Sequence, residues 1–266
     1  MSDELSPPRE ELRKLYDSLW DHQREAIIAK KKENVPKCVI KHWCGTGKTM
    51  IFMYSIFDGD KDVNMIVFPS LGLINQFRSK YVFSKEFKSY WKAYGMVCFC
   101  SLEEVNVRRP SRWKTQNKCT TSKKELKTHL KSNGKKLVLT TYHSLPKVAK
   151  VIKSCAGVTI HRLYYDEAHH VIGPTIQKTI FRDKGFLERI EKTEFYTATP
   201  TNQNGIKMFN EEHDTQDSDC GPTVHSFLYY QALEKGIVRK FDLCLNLCTI
   251  STKSKCKYGY VYEAII

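Results

Sequence analysis

The chain has 266 residues, 41% of them hydrophobic, which is enough to build the core of one large α/β domain. It contains no run of about 18 apolar residues, and its start MSDELSPPREE is acidic, so the sequence predicts neither a membrane span nor a signal peptide. Its 43 basic and 29 acidic residues give a net charge of +14, which favours a polyanionic partner.

Short apolar, partly β-branched runs alternate with segments of helical pattern along the chain. This alternation predicts an α/β fold whose mainly parallel sheet is covered by helices on both faces. The candidate strands are 37–42, 63–68, 94–100, 136–141, 161–166, 193–198 and 239–248.

The stretch KHWCGTGKTM, residues 41–50, has the composition of a phosphate-binding loop. Its glycines lie between a candidate strand and the apolar run MIFMYSIF, where backbone N–H groups and a helix dipole form an anion site. Lys48 is expected to reach the β- and γ-phosphates of a nucleotide, and Thr49 to hold Mg²⁺. The general pattern G-x-x-x-x-G-K-[ST] has glycine where this chain has His42, and a flexible turn with a chance lysine is the alternative.

A basic segment, residues 102–136, is a candidate nucleic-acid contact. From Arg108 to Lys136 it holds eleven Lys or Arg residues and one acid, Glu125. Such a patch attracts a phosphate backbone, and Trp113 within it is placed to stack on a base. A solvated loop with no dedicated partner is the alternative. The capping-box pattern Ser122-x-x-Glu125 predicts a short helix at about 123–132.

Ten cysteines in a chain of this kind favour a reducing intracellular compartment, the cytoplasm or the nucleus, over a disulfide framework. The pairs Cys98-x-Cys100 and Cys244-x₃-Cys248 lack the CxxC spacing of a structural zinc site, which stays a minor alternative. Cys44 lies inside the phosphate-binding loop, so we expect its alkylation to block nucleotide binding.

The stretch RLYYDEAHH, residues 162–170, is an apolar strand that ends in two carboxylates and two histidines. Asp166 at the strand end is placed to bind Mg²⁺, and Glu167 to orient and deprotonate the water that attacks the γ-phosphate. A strand capped by a solvated acidic turn is the alternative for this stretch alone. The phosphate-binding loop upstream favours the nucleotide site.

The sequences GTGKT (45–49), DEAHH (166–170) and TATP (197–200) stand in the order of motifs I, II and III of superfamily 2 helicases and translocases. The chain resembles this family, and within it looks most like type III restriction motors and the helicases of large DNA viruses. The resemblance spans roughly residues 15–250. It implies a RecA-like motor domain with ATP and Mg²⁺ as cofactors, and adds a virion or viral factory to the expected compartments.

The resemblance also assigns the remaining nucleotide and nucleic-acid contacts. LWDHQREAI (19–27) is similar to the segment upstream of motif I, whose glutamine, here Gln23, reads the adenine edge. VFPSLGLINQF (67–77) and LTTYHSL (139–145) resemble motifs Ia and Ic, which grip a sugar-phosphate backbone without reading sequence. The nucleotide contacts are therefore Gln23, Cys44, Gly45, Thr46, Gly47, Lys48 and Thr49. The nucleic-acid contacts are Ser70, Leu71, Thr140 and Thr141, with ordinary strand filling as the alternative for the two threonines.

In the resemblance, motif III couples the state of the nucleotide to the grip on nucleic acid. Thr197 and Thr199 are expected to bond toward the DEAHH turn, with His169 in the same relay and His170 in a supporting role. A histidine beside a carboxylate is more often a structural hydrogen-bonding group than a catalyst. We therefore assign coupling, not chemistry, to His169.

Motors of this family use two RecA-like domains with ATP between them, and the second supplies arginine fingers. The resemblance predicts a polar segment at 1–15, the first motor domain at 16–250, closed by a stretch like 221–243, and a linker at 251–266 toward a second domain absent from this chain. We expect a monomer that binds DNA or RNA, contacts no membrane and hydrolyses ATP weakly alone. A nucleic-acid-binding module with a regulatory or relict ATP site is the alternative.

Overall fold

The structure, a computed structural model, describes residues 9–59, 63–101, 117–172, 174–200, 208 and 220–240. In these residues, eight strands form one sheet in the order β4-β3-β5-β2-β6-β7-β1-β8, and all neighbouring strands run parallel. The strands are β1 (Lys37–His42), β2 (Val63–Phe68), β3 (Tyr94–Phe99), β4 (Asn117–Thr120), β5 (Lys135–Thr141), β6 (Ile160–Tyr165), β7 (Ile190–Thr197) and β8 (Thr223–Phe227). The prediction of a mainly parallel α/β fold is confirmed.

Helices connect the strands and cover the sheet. They are α1 (Arg9–Ser18), α2 (Asp21–Glu33), α3 (Lys48–Phe57), α4 (Leu71–Phe77), α5 (Lys88–Trp91), α6 (Lys123–Lys131), α7 (Leu145–Lys153), α8 (Pro174–Gln177), α9 (Lys184–Leu187) and α10 (Tyr229–Glu234). π-Helical turns continue α4 (Arg78–Val82) and α8 (Lys178–Arg182), and a 3₁₀ turn (Ala168–Ile172) follows β6. None of the helices described is both long and apolar enough to cross a membrane.

Six of the candidate strands correspond to β1, β2, β3, β5, β6 and β7, with ends that differ by at most three residues. Two strands were not predicted, β4 inside the basic segment and β8 inside the stretch 221–243. Both lie at an edge of the sheet and are short, NKCT and TVHSF, so they lack the apolar run that marks a central strand. The candidate strand 239–248 lies outside the described residues, except for 239 and 240.

The core lies on both faces of the sheet, as in other buried parallel sheets. On one face, Phe52 and Phe57 of α3 and Phe77 of α4 pack among buried strand residues. On the other face, Leu126 of α6 and Val148 of α7 do the same. Because β2 is covered on both sides, all six of its residues, VNMIVF, are buried.

Helix α1 packs on this core, although the sequence predicts that residues 1–15 lie outside the domain. Leu15 is buried, and the Tyr90 hydroxyl donates a hydrogen bond to the carbonyl of Glu11 at 2.9 Å. The part of this segment that the structure describes, from Arg9 onward, therefore packs against the core of the domain.

The C-terminal end of α3 and the turn that follows it are held by three donors from neighbouring strands. The bonds are Arg162 Nη1 to Ser55 O (3.1 Å), Tyr94 Oη to Ile56 O (2.8 Å) and Lys135 Nζ to Gly59 O (2.9 Å). The last carbonyls of a helix have no partner within the helix and carry the negative end of its dipole, which cations favour. The far end of α3 is thereby fixed to β3, β5 and β6.

Candidate nucleotide-binding site

Residues 43–47 form a tight loop between β1 and α3. Gly45 and Gly47 have φ values of +79° and +76°, in the left-handed region that favours glycine. A Cβ atom on Gly47 would lie 2.2 Å from Nε2 of Gln23. The hydroxyl of Thr46 donates to the carbonyl of Trp43 at 2.6 Å. The loop is thus closed on itself and leaves no room for a side chain at Gly47.

The carboxamide of Gln23, at the start of α2, braces this loop from behind. Its Nε2 donates to the carbonyls of Thr46 (3.1 Å) and Gly47 (3.3 Å), and its Oε1 accepts from the Trp20 amide (2.9 Å). Nε2 of His22 lies 2.9 Å from the same Thr46 carbonyl. The expected contact of Gln23 with adenine stays a prediction, and it would require the side chain to exchange one of these bonds.

Three buried or partly buried histidines, His22, His42 and His225, form a histidine cluster beneath the loop. Nε2 of His42 lies 2.7 Å from Nδ1 of His225, whose Nε2 lies 3.6 Å from Glu25 Oε2. The ring of His22 stacks on Phe227 with centroids 4.0 Å apart. Since a carboxylate only accepts, the consistent arrangement has His42 donating to His225 and His225 donating toward Glu25. Where the general pattern has glycine, position 42 of this chain therefore carries an imidazole ring that packs against neighbouring rings.

Burial keeps this cluster neutral, because a charged imidazole loses its hydration there. It lowers the pKa of His42 to about 2, with the neighbouring His225, His22 and Lys48 acting in the same direction. Burial also lowers the pKa values of His22 and His225.

The phosphate-binding loop, the ends of β2 and β6, and α4 with its π-helical turn surround a cleft of about 270 Å³. It is lined by Cys44, Gly45, Gly47, Lys48, Thr49, Phe68, Leu73, Gln76, Phe77, Lys80, Tyr81, Asp166 and Glu167. Nζ of Lys48 lies 3.4 Å from Oε1 of Glu167 and 3.3 Å from the His42 carbonyl. The four residues expected to carry the chemistry, Lys48, Thr49, Asp166 and Glu167, therefore meet in one cleft.

The acidic turn after β6 is electrostatically suited to a cation. Burial, together with the negative charge of the neighbouring Glu167, raises the pKa of Asp166 to about 6. The nearby Lys48 acts in the opposite direction, but its effect is smaller than that of Glu167. Glu167 has a φ of +46°, an uncommon conformation for a residue with a side chain and one that recurs at functional sites. The hydroxyl of Thr49 and the carboxylates of Asp166 and Glu167 are oxygen ligands of the kind that Mg²⁺ prefers. The residues present thus fit a magnesium ion bound with nucleotide.

A hydrogen-bonded chain connects the acidic turn to the end of β7. Nδ1 of His169 lies 3.3 Å from Oγ1 of Thr197 and 3.6 Å from Oε2 of Glu167. The Thr197 hydroxyl donates to the Thr199 carbonyl at 2.6 Å, so the bond to His169 needs Nδ1–H as its donor. The structure brings these expected coupling residues together, with Thr199 contributing its backbone.

Two of the expected nucleic-acid contacts, Ser70 and Leu71, lie just after the carboxyl end of β2. Ser70 is exposed and caps α4, where its Oγ accepts from the Leu73 amide at 3.3 Å. Leu71 is partly exposed at the first position of that helix.

The two threonines that end β5 differ in their surroundings. Thr141 is largely buried, at 7% exposure, and its hydroxyl donates to Oγ of Ser144 in the turn after β5 at 3.3 Å. The Thr140 side chain is fully buried and donates to the Phe99 carbonyl at 2.9 Å. A nucleic-acid contact through the hydroxyl of Thr140 does not fit this placement, because the side chain faces the sheet interior.

Two residues of the site were not identified from the sequence. The hydroxyl of Tyr142 donates to the Asp166 carbonyl at 2.9 Å and so ties the end of β5 to the acidic turn. Trp20 is 48% exposed, and its ring lies 3.9 Å from the Cβ position of Gly47. Neither has a sequence signal of its own, since both roles depend on residues distant in the chain.

The basic segment is partly described, from 117 onward, while Trp113 lies outside the described residues. The helix predicted at about 123–132 is α6, Lys123–Lys131, and Oγ of Ser122 accepts from the Glu125 amide at 3.4 Å. The seven cysteines in the described part of the chain form no disulfide, and of these Cys44 alone is exposed. Across the same ranges, no three His, Cys, Asp or Glu side chains are grouped to hold a metal ion by themselves.

Comparison with known proteins identifies the family of this chain. The family described as "Type III restriction enzyme, res subunit" matches residues 17–202. No curated protein matches the chain.

Two solved structures share the fold. The Type ISP restriction-modification enzyme LlaGI, as a nuclease-deletion mutant in complex with a DNA substrate mimic, has a TM-score of 0.60 and 18% identity, covering 82% of this chain and 18% of that one. The ATP-dependent Type ISP restriction-modification enzyme LlaBIII bound to DNA has a TM-score of 0.58 and 17% identity, covering 82% of this chain and 15% of that one. The chain therefore spans less than a fifth of either enzyme.

Proposed function

Because this chain belongs to the type III restriction enzyme Res subunit family, we propose that it is the first RecA-like motor domain of an ATP-dependent nucleic-acid helicase or translocase. The observation that carries the proposal is the cleft in which Lys48, Thr49, Asp166 and Glu167 meet behind a glycine-rich loop. These are the groups that phosphoryl transfer to water requires: a phosphate-binding cation, ligands for Mg²⁺ and a base for the attacking water.

The pairing of Lys48 with Glu167 suggests how nucleotide binding prepares the site. In this structure the ammonium of Lys48 rests between Glu167 and the His42 carbonyl. A triphosphate attracts that ammonium more strongly than one carboxylate does, because it carries several negative charges. Lys48 then moves to the phosphates, and Glu167 is released to accept a proton from water. Bound Mg²⁺, held by Thr49 and Asp166, would neutralise the phosphate oxygens.

We propose Trp20 as the platform for the base. Its exposed ring stands beside the phosphate-binding loop, and an aromatic face stacks on any purine. Gln23, one turn away, would add adenine recognition by exchanging a loop carbonyl for the base edge. Since Trp20 lies beside Gly47 of the phosphate-binding loop, its fluorescence should report nucleotide binding.

Two connections support coupling between the cleft and a nucleic-acid track. Tyr142 joins the end of β5 to the Asp166 carbonyl, and His169 joins Glu167 to Thr197. Ser70 and Thr141 lie at the carboxyl ends of β2 and β5, on the same side of the sheet as the acidic turn. A change in that turn would therefore alter the surface where the backbone of DNA or RNA would bind. Contacts of this kind position a strand without reading its sequence.

The proposal is tested by measuring Mg-ATP binding and steady-state hydrolysis, for this chain and for a fusion of it with a second RecA-like domain of the family. Each is assayed alone and with single-stranded DNA, duplex DNA or RNA. Lys48→Ala should abolish binding, whereas Glu167→Gln should keep binding and lose hydrolysis. Absence of Mg-ATP binding by the wild type would overturn the proposal. Binding with no hydrolysis under any of these conditions would favour the binding module with a regulatory ATP site.

A further inference from the structure

Two buried cysteines lie side by side on the outer strands of the sheet. Cys98 of β3 and Cys119 of β4 are direct partners in the parallel register, and both side chains belong to the core on the α3 side of the sheet. Adjacent strands are about 4.8 Å apart, within the roughly 4.4–6.8 Å between Cα atoms that a disulfide spans. The two thiols are hydrogen-bonded to each other. The backbone therefore holds the pair at a separation from which a disulfide can form.

Arg78 brings a buried positive charge to Cys119. Its Nη1 donates to the Cys119 sulfur at 3.3 Å, and the guanidinium lies over the ring of Phe83 with its carbon 5.1 Å from the ring centroid. A nearby cation favours the thiolate form of a cysteine, so Cys119 is the thiol of the pair that ionises. The thiol of Cys98 then donates to that thiolate. This hydrogen bond, followed by burial, raises the pKa of Cys98 well above its usual range.

Cys100 lies close to the pair but is less suited to react. It follows Cys98 by two residues, and its amide donates to the carbonyl of Thr120 at 3.1 Å, so its position along the strand is beyond that of Cys119. Burial, together with the nearby Cys119, raises the pKa of Cys100 to about 11. A cysteine that stays protonated at neutral pH is a poor nucleophile. The register and the charges therefore select Cys98 and Cys119 as the reacting pair.

Arg78 also connects this pair with the nucleotide cleft. It begins the π-helical turn that continues α4. Gln76 and Phe77 before it, and Lys80 and Tyr81 after it, line the cleft. Arg78 is fully buried, and a buried guanidinium that loses an anionic partner is destabilised unless it moves. A change in the charge of the pair would therefore act on the wall of the cleft.

We propose that Cys98 and Cys119 form a peroxide-sensitive dithiol, whose disulfide deprives Arg78 of its thiolate partner and thereby weakens nucleotide binding. The effect on binding rests on the proposed function, whereas the chemistry of the pair does not. Disulfides inside cells are mostly transient or redox-sensing, as this one would be. Cys119 is 6% exposed on an edge strand of four residues, where a small oxidant can reach it.

The reaction with hydrogen peroxide has two steps. The Cys119 thiolate attacks one peroxide oxygen, the O–O bond breaks, and the hydroxide that leaves is protonated to water. The sulfur of Cys98 then attacks the resulting sulfenic acid, the S–O bond breaks, and hydroxide leaves as a second water with the Cys98 proton. Two thiols and one peroxide thus give one disulfide and two waters.

The test maps the disulfide in the wild type. The reduced protein is treated with hydrogen peroxide, quenched with N-ethylmaleimide in denaturant, and digested without reduction for mass spectrometry. Chymotrypsin cleaves after Phe99 and so separates Cys98 from Cys100. Cys155, which is as fully buried as Cys98, is the control within the same protein. Calorimetry measures Mg-ATP affinity before oxidation, after it, and after reduction with dithiothreitol. The matched variant Cys98→Ser keeps Cys44 and Cys119 but cannot form the disulfide.

We expect a cross-linked Cys98–Cys119 peptide, with Cys155 still reduced. The oxidised wild type should bind Mg-ATP about fivefold or more weakly and recover on reduction, whereas Cys98→Ser should lose less. Absence of the cross-link, a Cys100–Cys119 cross-link instead, or equal oxidation of Cys155 would overturn the site. A disulfide with unchanged affinity, or an equal loss in Cys98→Ser, would overturn its effect on the cleft. A reduced wild type that binds no Mg-ATP would overturn the proposed function, and the peptide map would still decide the chemistry of the pair.

Discussion

Nε2 of His42 and Nδ1 of His225 lie 2.7 Å apart, and this contact joins the strand that leads into the phosphate-binding loop to the edge strand β8. His42 is fully buried, so a proton added to its ring would lose hydration that the unfolded chain keeps. The position that is glycine in the general phosphate-loop pattern therefore couples the stability of the loop to pH.

We predict that acid destabilises the domain through His42. Its folded pKa is about 2, while its unfolded value is about 6.5, so the unfolded state binds the extra proton between these values. Stability then falls as the pH drops below about 6.5, by about 2 kcal/mol at pH 5 for this one group. Urea unfolding at pH 7.5 and pH 5 measures the loss. His42→Phe, which keeps a ring but cannot titrate, should lose less stability over that interval, whereas His143→Gln at an exposed site should match the wild type.

Gln23→Glu should weaken nucleotide binding although it hardly changes the shape of the side chain. The new carboxylate cannot donate to the carbonyls of Thr46 and Gly47, and places a negative charge against them. An unsatisfied buried acceptor costs about 1–3 kcal/mol, so we expect a tenfold or greater loss of Mg-ATP affinity by calorimetry. Glu33→Gln, at the exposed C-terminal end of α2, is the control. Equal affinities for the wild type and Gln23→Glu would show that nucleotide binding does not need the hydrogen bonds from Gln23 to the loop.

Alkylation should modify Cys44 ahead of the other described thiols and block the cleft. Cys44 is exposed and lines the cleft, whereas Cys38, Cys98, Cys100 and Cys155 are among the buried cysteines. Iodoacetamide followed by peptide mass spectrometry identifies the site, and Mg-ATP should slow the modification. A Cys44→Ala protein should keep nucleotide binding after the same treatment. Loss of binding in that variant would place the sensitive thiol elsewhere.

Glu194→Gln should destabilise the fold strongly. Glu194 and Lys30 form an ion pair whose side chains are 4% and 8% exposed, and the Tyr196 hydroxyl donates to Glu194 at 2.7 Å. Removing one charge leaves the other buried and unpaired, at a cost of about 3–5 kcal/mol. Denaturant unfolding measures the change, with Glu191→Gln on the same strand as an exposed control. A change below about 1 kcal/mol would mean that Lys30 finds water or another acceptor.

The sequence was sufficient to predict the central strands and the cleft, because both depend on local patterns. The run VNMIVF of β2 is apolar enough to mark a strand covered on both faces, and GTGKT prescribes its own loop through glycines with positive φ. The order of strands brings Asp166 and Glu167 to that loop without any further signal.

The remaining features depend on partners that lie far apart in the chain. His42 meets a residue 183 positions away, and Gln23 meets carbonyls more than 20 positions away, so no window of sequence contains either pair. Thr140 and Thr141 look alike in sequence, yet the hydroxyl of Thr140 bonds to Phe99 on the neighbouring strand, whereas that of Thr141 bonds to Ser144 in the next turn. The edge strands β4 and β8 were missed because a strand with one neighbour needs no apolar run.

The anchoring of α3 limits where the domain can deform. Its first turn presents Lys48 and Thr49 to the cleft, while Arg162, Tyr94 and Lys135 fix its other end to three strands. Because these hydrogen bonds hold its C-terminal end, we expect α3 to resist sliding along its own axis. We therefore expect a displacement of the first turn to reach its other neighbours, the turn that carries Glu167 and, through that turn, Tyr142 and Thr197. In that case, the end of α3 that lies farthest from the cleft determines which elements respond to a change at Lys48.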